Sequence, residues 1–496
     1  VPLPTRRGLC TLEEEAREIA ATLGHVEEMD RDSFAQLYTG RKRTRYQRAA
    51  ETLKYRPVAR GDAFVSAFVK SEKFDPSAKV NPAPRMIQAR NARYNIEVGR
   101  FLRPVEHLLY RMENEYGYRV IGKGLSTRAR AQLLHDKMAR FYAPVVLSLD
   151  CSRFDQHVSI EQLRMEHSVY LAANPDPYFE QLLSWQLRNS GATSSDIRYK
   201  TEGKRMSGDM NTALGNCLLM VMMARAALKA VGASNYELLD DGDDCLVILE
   251  QSEEWRLAGL VDEFLAFGHE LKVENRATSI LDVNWCQMKP MQVGGEWRFV
   301  ADPRKVLSSM TAGTKYWSQP GARESMAFSV GQCLLALYDG VPLIQEYAVA
   351  LCRNGTRWNN DIQYADIWYK AKAEKHPFFT KLEPKPVTNE TRLSLERAWG
   401  ISIQEQYHIE TVLSTWMIDW NHMVLSPEEI APGWELVPRA GTEPDLMAYR
   451  MRPDSVGTAH AKRDGMGKPS HSSETNEHHA SKVVPNLPSG NRGSKP

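Results

Sequence analysis

Residues 235 to 250 read NYELLDDGDDCLVILE, with Asp240, Asp241, Asp243 and Asp244 gathered around Gly242. Tyr236, Leu238 and Leu239 on one side, and Leu246 to Leu249 on the other, have strand character. Carboxylates crowded at the tip of an apolar hairpin repel one another and are costly to desolvate. A divalent cation offsets that cost. Hard carboxylate oxygens suit Mg2+ or Mn2+, which keep several waters and take phosphate oxygens as further ligands. Gly242 fits a tight turn with positive φ. Alone the motif says little, because Asp-Gly is also a common hairpin turn with no chemistry attached.

A second carboxylate site changes the reading. VVLSLDCSRFDQ ends an apolar run at Asp150, with Asp155 five residues on. Two strands that each deliver an aspartate at the tip can hold two metals between them, which is what two-metal phosphoryl transfer requires. A third piece, SGDMNTALGN, puts Ser207 and Gly208 in a polar loop, with Thr212 and Asn216 on the helix that follows. Residues i and i+4 share a helical face, so Asn216 can present its amide to a sugar hydroxyl one turn from Thr212. A polyphosphate also needs cations. NPAPRMIQARNARYN reads as a Pro-punctuated loop with Arg85, Arg90 and Arg93. Arginine contacts two phosphate oxygens at once and stays charged. Lys70 and Lys73 are weaker candidates. GRKRTRYQRAAETLKYRP is helical by pattern and carries Arg41, Lys42, Arg43, Arg45, Arg48, Lys54 and Arg56. It reads equally as a solvated basic face or as a phosphate-contacting one.

The elements that must position these residues follow from pattern. CTLEEEAREIAATLG reads as a helix ending at Gly24, with acids in its first turn. DAFVSAFVKSEKF has strand character, and APVVLSLD is a β-rich run leading into Asp150. The chain after Gly208 becomes a strongly apolar helix. GLVDEFLAFGHELKVEN reads as helix then strand, and VNWCQMKPMQVGGEWRFV as a hairpin around Gly294-Gly295. From about 304 to 425 helical patterns dominate, and after Pro453 the composition is that of a disordered tail.

With 496 residues, 42% of them hydrophobic, the chain can bury a large core and form more than one lobe. A net charge of +1 makes any affinity for nucleic acid a matter of local clustering. Seven scattered cysteines without a CxxC pair suggest reduced thiols in an intracellular setting. The best apolar run, LGNCLLMVMMARAAL, is short and interrupted by Arg225, so no transmembrane segment is expected. There is no signal peptide, and the missing initiator Met suggests a piece of a larger product.

In order along the chain, D-x4-D (150, 155), SG-x3-T-x3-N (207, 208, 212, 216) and GDD (242 to 244) resemble motifs A, B and C of viral RNA-dependent RNA polymerases. NPAPRMIQARNARYNIEVGRFLRPVEHLLY is similar to the basic motif F, FGHELKVEN to motif D, and NWCQMKPMQVGGEWRFVADPRKVL to motif E. Wording as close as SGDMNTALGNC and DDGDDC resembles the tombusvirus and carmovirus group of positive-strand RNA viruses. The resemblance covers roughly residues 60 to 350. The ordered set is specific where each motif alone is not.

The resemblance implies an α+β right-hand polymerase fold with fingers, an antiparallel-sheet palm and a helical thumb. It places an N-terminal segment at 1–23, fingers at 24–143 and 165–205, palm at 144–164 and 206–302, thumb at 303–452 and the tail at 453–496. It implies that Asp150 and Asp243 ligate two Mg2+ (or Mn2+) ions, with Asp244 auxiliary and the Cys151 carbonyl completing coordination. Asp155 and Asn216 would read the ribose 2′-OH, supported by Ser207 and Thr212. Gly208 would let the loop approach the template, and Arg85, Arg90 and Arg93 would hold the triphosphate. Asp241 is assigned to the turn and Asp240 to a supporting charge. Lys272 is preferred over His269 as the acid that protonates departing pyrophosphate.

The implied function is RNA synthesis from NTPs on an RNA template, with de novo initiation. The implied partners are template and product RNA, NTPs and other viral replicase proteins. The expected place is the host cytoplasm, at membrane-associated replication complexes reached through a partner or an N-terminal region absent here. A reverse transcriptase shares paired palm aspartates, but Asp155 and Asn216 argue against it, since DNA synthesis must reject a 2′-OH. A non-catalytic RNA-binding scaffold would not need Asp150, Asp243 and Asp244.

Overall fold

The computed structural model describes residues 1–70, 83–310, 322–356 and 382–420, and the strands Trp434–Pro438 and Met447–Met451. Thr5 caps α1 (Arg6–Thr22), its hydroxyl accepting from the Gly8 N–H. The helix therefore starts earlier than the pattern suggests, and its glutamates lie past the first turn. Asp30 caps α2 (Arg31–Gln36), and α3 (Gly40–Tyr55) follows with Tyr46, Ala49, Ala50 and Leu53 turned inward. Strand β1 (Val65–Val69) then pairs antiparallel with β2 (Met86–Arg90). The stretch read from sequence as a Pro-punctuated loop is thus a strand, and Asn91 then caps α4 (Ala92–Leu109) by accepting from the Arg93 N–H. Lys73 lies outside the described residues.

Helix α5 (Thr127–Met138) leads to β3 (Pro144–Cys151), and then come α6 (Phe154–His157), α7 (Ile160–Ala173) and α8 (Pro177–Ser184). Strands β4 (Arg188–Thr193) and β5 (Arg198–Glu202) complete a first sheet of order β2-β1-β4-β5, with β1 and β4 parallel. That sheet joins the two stretches expected as fingers. Helix α9 (Thr212–Ala230) is followed by β6 (Tyr236–Asp240), β7 (Asp244–Glu250), α10 (Leu260–Ala266) and β8 (Leu271–Ala277).

The second sheet has the order β6-β7-β3-β8 and is antiparallel throughout. Its middle strands are buried along almost their whole length, which is why they read as unbroken apolar runs. Among the described residues only α9 is long and apolar enough to cross a membrane, with a mean hydropathy of 1.4. Most of that helix is buried, in the same apolar core as the inward residues of α1 and β7.

Strands β9 (Met288–Val293) and β10 (Glu296–Ala301) form the expected hairpin, with Gly294 and Gly295 at φ 60° and 86°. A helical layer follows: α11 (Pro303–Ser309), α12 (Ala322–Tyr338), α13 (Ile344–Asn354), α14 (Asn389–Trp399) and α15 (Ile403–Thr415), around a second apolar core. Strands β11 (Trp434–Pro438) and β12 (Met447–Met451) pair antiparallel in a separate unit. The expected disordered tail lies outside the described residues.

Candidate active site

The acidic turn is built as its pattern suggests. Gly242 takes φ 97°, and the Asp241 N–H donates to the Asp244 carbonyl at 2.9 Å. Asp150, the last residue but one of β3, lies directly opposite Asp244 on β7 and opposite Lys272 on β8. Directly opposed residues of antiparallel strands point to one face, so Asp244, Asp150 and Lys272 form a row across the sheet. Burial raises the Asp150 carboxyl, and nearby Glu274 and Asp243 raise it further. Burial, then Asp243 and Asp150, push Asp244 up to about 6. Burial and neighbouring carboxylates thus make Asp150 and Asp244 harder to ionise, a penalty that a bound divalent cation relieves. The donors have the right chemistry, although among the described residues no three acidic, His or Cys groups close around one point. The Cys151 thiol is buried in the core, which leaves only main-chain atoms of that residue for a ligand.

The other two acids of the turn have separate tasks. Asp240 is fully buried, with one carboxyl oxygen accepting from the Gly242 N–H at 3.1 Å. Burial drives its pKa well above the usual carboxylate range. Asp241 is clasped by Lys123 and Arg130. Burial opposes the charge of Lys123, but Asp241 and Asp240 outweigh it and raise its pKa to about 12. The Lys123 segment lies alongside the turn because the Gly122 N–H donates to the Asp240 carbonyl at 2.7 Å. The sequence reading missed Lys123 and Arg130; a lysine flanked by Gly122 and Gly124 was the available signal.

Asp155 and Asn216 meet. The Asn216 amide nitrogen donates to Asp155 Oδ1 at 2.9 Å, and its oxygen accepts from Arg205 Nε at 2.9 Å. Arg205 is fixed by a buried, two-pronged pair with Glu166, which also accepts from Asn211 and Tyr170 at 2.7 Å. Gly215 makes room for this, since a Cβ there would lie 2.4 Å from both Arg205 and Glu166. The sequence reading missed Arg205 and Glu166, although a glycine inside an apolar helix hints at a close approach.

The loop before α9 is fastened to β2. The Gln88 N–H donates to Ser207 Oγ at 3.1 Å, and the Gly208 N–H to the Gln88 carbonyl at 3.0 Å. A Cβ on Gly208 would lie 2.5 Å from that carbonyl, so its small size lets the loop pack directly on β2. The Thr212 hydroxyl donates to the carbonyls of Met206 and Asp209 at 2.8 and 3.0 Å, closing the loop rather than reaching Asn216.

The arginines separate into two kinds, and the expectation for two of them is corrected. Arg90 is buried: it pairs with Asp209 and donates to the Ala63 carbonyl at 2.6 Å and Asn189 Oδ1 at 2.7 Å. Arg93 is also buried, on Asp62 at 3.2 Å, Thr52 at 2.6 Å and the carbonyls of Arg56 and Pro57. Neither guanidinium is open to a triphosphate; both are cross-braces. Arg85 is exposed.

His269 and Lys272 differ as sharply. His269 is fully buried against Phe154 and His157, and desolvation, then His157, push its pKa down to about 3. It is neutral at pH 7 and has no proton to offer as an imidazolium. Lys272 is exposed and lies 3.1 Å from Glu274.

An antiparallel sheet with carboxylates at its strand tips, backed by apolar helices and flanked by a second sheet, has the architecture of a polymerase palm beside its fingers. The sequence profile described as viral RNA dependent RNA polymerase matches residues 1–421. The RNA-directed RNA polymerase of turnip crinkle virus is 36% identical over 407 residues, covering 79% of this chain and 51% of that protein. That of Panicum mosaic virus is 31% identical over 459 residues, covering 89% and 46%, and that of melon necrotic spot virus 34% over 427 residues, covering 85% and 54%. The chain spans about half the length of these curated relatives. It belongs to the viral RNA-dependent RNA polymerase family, of the tombusvirus and carmovirus kind, a family of metal-dependent nucleotidyltransferases with the right-hand α+β fold.

Proposed function

We propose that this chain carries the catalytic core of an RNA-directed RNA polymerase, extending RNA from NTPs on an RNA template. The observation that supports it most is the placement of Asp150 opposite Asp244, beside Asp243, with the Asp155–Asn216 pair on neighbouring elements. Asp150, Asp243 and Asp244 would hold two Mg2+ ions, or Mn2+ in their place, with a main-chain carbonyl at Cys151. Those ions, when bound, would activate the attacking hydroxyl and stabilise the leaving oxygen. Asn216, aimed by Arg205, would present Asp155 and its own amide to the ribose 2′-OH. Exposed Arg85 would meet the triphosphate, and Lys272 would supply the proton for pyrophosphate. The fingers, palm and thumb take the boundaries given above, initiation is de novo, and other replicase proteins hold the chain at membrane-associated complexes in the host cytoplasm.

The test is RNA-templated incorporation by the purified chain, with NTPs or dNTPs, with and without Mg2+. Metal-dependent NTP incorporation is expected. Asp243→Asn, which keeps size and removes charge, should lower it by orders of magnitude while RNA affinity changes little. A preference for dNTPs would favour reverse transcription, and RNA binding without incorporation would favour a scaffold.

A further inference from the structure

Helix α3 has two faces with different environments. Tyr46, Ala49, Ala50 and Leu53 pack inward, and Lys42 leans over the Tyr38 ring at 4.3 Å. Arg41, Arg45 and Arg48 are spaced i, i+4, i+7, share a separate face and are all exposed. Among the described residues none of the three has a carboxylate partner. That sets them apart from exposed arginines such as Arg7, Arg17, Arg188 and Arg198, each of which is paired. The one acid on the helix, Glu51, is taken by Lys54 at 2.7 Å. Like charges one turn apart destabilise a helix by about 0.2–0.5 kcal/mol per pair, and nothing on α3 offsets this. The repulsion is relieved when an anion lies along the face.

The chemistry of that anion follows from the surface. Between Arg41 and Arg48 only Thr44 and Gln47 accompany the arginines on this face, and exposed Tyr55 stands two turns beyond Arg48 on the same face, so this stretch suits a polar, charged partner better than an apolar one or insertion into lipid. Planar guanidiniums suit phosphate oxygens. Seven residues of helix rise about 10 Å. At about 3.4 Å per nucleotide of a stacked strand, that spans about three phosphates.

The location fits the catalytic reading. Tyr46, on the inner side of α3, places its hydroxyl 3.7 Å from the sulfur of Met210, next to Asp209 in the loop fastened to β2. A strand on the arginine face therefore lies about one helix diameter, roughly 10 Å, from that loop. We propose that the Arg41–Arg45–Arg48 face of α3 is a docking surface for the phosphodiester backbone of single-stranded template RNA, outside the catalytic centre. The proposal rests on the polymerase reading for the identity of the RNA.

The experiment measures binding of a single-stranded RNA oligonucleotide by fluorescence anisotropy from about 50 to 200 mM salt. The full chain, the triple variant R41Q/R45Q/R48Q and the control R188Q/R198Q are compared, with NTP incorporation followed on the same preparations. Each lost contact should flatten log K against log salt by about 0.7, so the triple variant should lose about 2 from its slope while the control keeps it. Its KM for RNA should rise and its KM for NTP should not. Arg45→Glu should weaken binding more than Arg45→Gln, which separates charge from shape. An unchanged slope in a chain that still incorporates NTPs would overturn the α3 proposal alone. A wild-type chain that binds RNA but incorporates nothing would overturn the polymerase reading instead. Cosedimentation with phosphatidylserine vesicles that depends on the three arginines, with the RNA slope intact, would reassign the face to a membrane surface and also overturn the proposal.

Discussion

Asp150 and Lys272 are direct neighbours across the β3–β8 ladder, so an acidic and a basic side chain leave the sheet side by side. The Lys272 ammonium is exposed and 3.1 Å from Glu274. A general acid is worth about 10²- to 10⁴-fold in rate. Lys272→Leu should slow single-turnover incorporation by that order across the pH range, with a reduced solvent deuterium isotope effect. Glu274→Gln removes the competing partner and should leave the isotope effect in place. A normal rate for Lys272→Leu would leave water as the acid.

His269 offers a different readout, because the structure removes it from proton transfer. Its folded pKa is about 3, against about 6.5 unfolded. The unfolded chain therefore binds the extra proton first as pH falls. Stability from a neutral, buried His269 is fully present above about pH 6.5 and is lost as pH falls towards 3, at up to about 1.4 kcal/mol per pH unit. His269→Phe should narrow the gap in unfolding midpoint to wild type as the buffer goes from neutral to pH 4. A gap that stays constant would mean that the ring is solvated.

Sugar choice should depend on the Asp155–Asn216 pair and also on Arg205, which never touches the sugar. Arg205 fixes the Asn216 carbonyl at 2.9 Å, which turns the amide nitrogen towards Asp155. Lysine cannot reproduce the two-pronged grip on Glu166. Asn216→Ala and Asp155→Ala should each lower the NTP-to-dNTP ratio of kcat/KM by about tenfold, the worth of one hydrogen bond. Arg205→Lys should lower the same ratio by a smaller factor. If all three ratios match wild type, these residues do not read the 2′-OH.

The acidic hairpin and Asp150 were legible because strand pattern and acid placement coincide within a few residues: the apolar run ends where the carboxylates begin. The partners of those groups were not legible. Arg205 and Glu166 are 39 residues apart, and Lys123 and Asp241 are 118 apart. A single sequence shows a charge but not its counter-ion. Met86–Arg90 was read as a loop from its prolines, yet its backbone is claimed by β1, a pairing that local propensity does not encode. Arg90 and Arg93 were read as ligand cations for the same reason: their carboxylates, Asp209 and Asp62, come from other elements.

That difference between the arginines can be measured. Arg90 and Asp209 are both almost wholly buried, and their pair joins β2 to the loop that opens α9. Asp209→Asn leaves a buried guanidinium with a neutral partner, a change of the class that costs about 3–5 kcal/mol. Arg90→Ala leaves Asp209 unpaired, and it also strips donors from the Ala63 carbonyl and from Asn189. Both variants should lose thermal stability. They should also lose kcat, because Ser207 and Gly208 are held against β2 only while that loop stays docked. Arg85→Ala, at an exposed position, should do the reverse: raise KM for NTP while the stability stays within about 0.5 kcal/mol of wild type. The double variant Arg90→Ala/Asp209→Ala completes the cycle. Because removing both charges avoids an uncompensated one, it should be more stable than either single variant. Purely additive losses would mean that the pair is not coupled and that the loop is held by the Ser207 and Gly208 bonds to Gln88 instead.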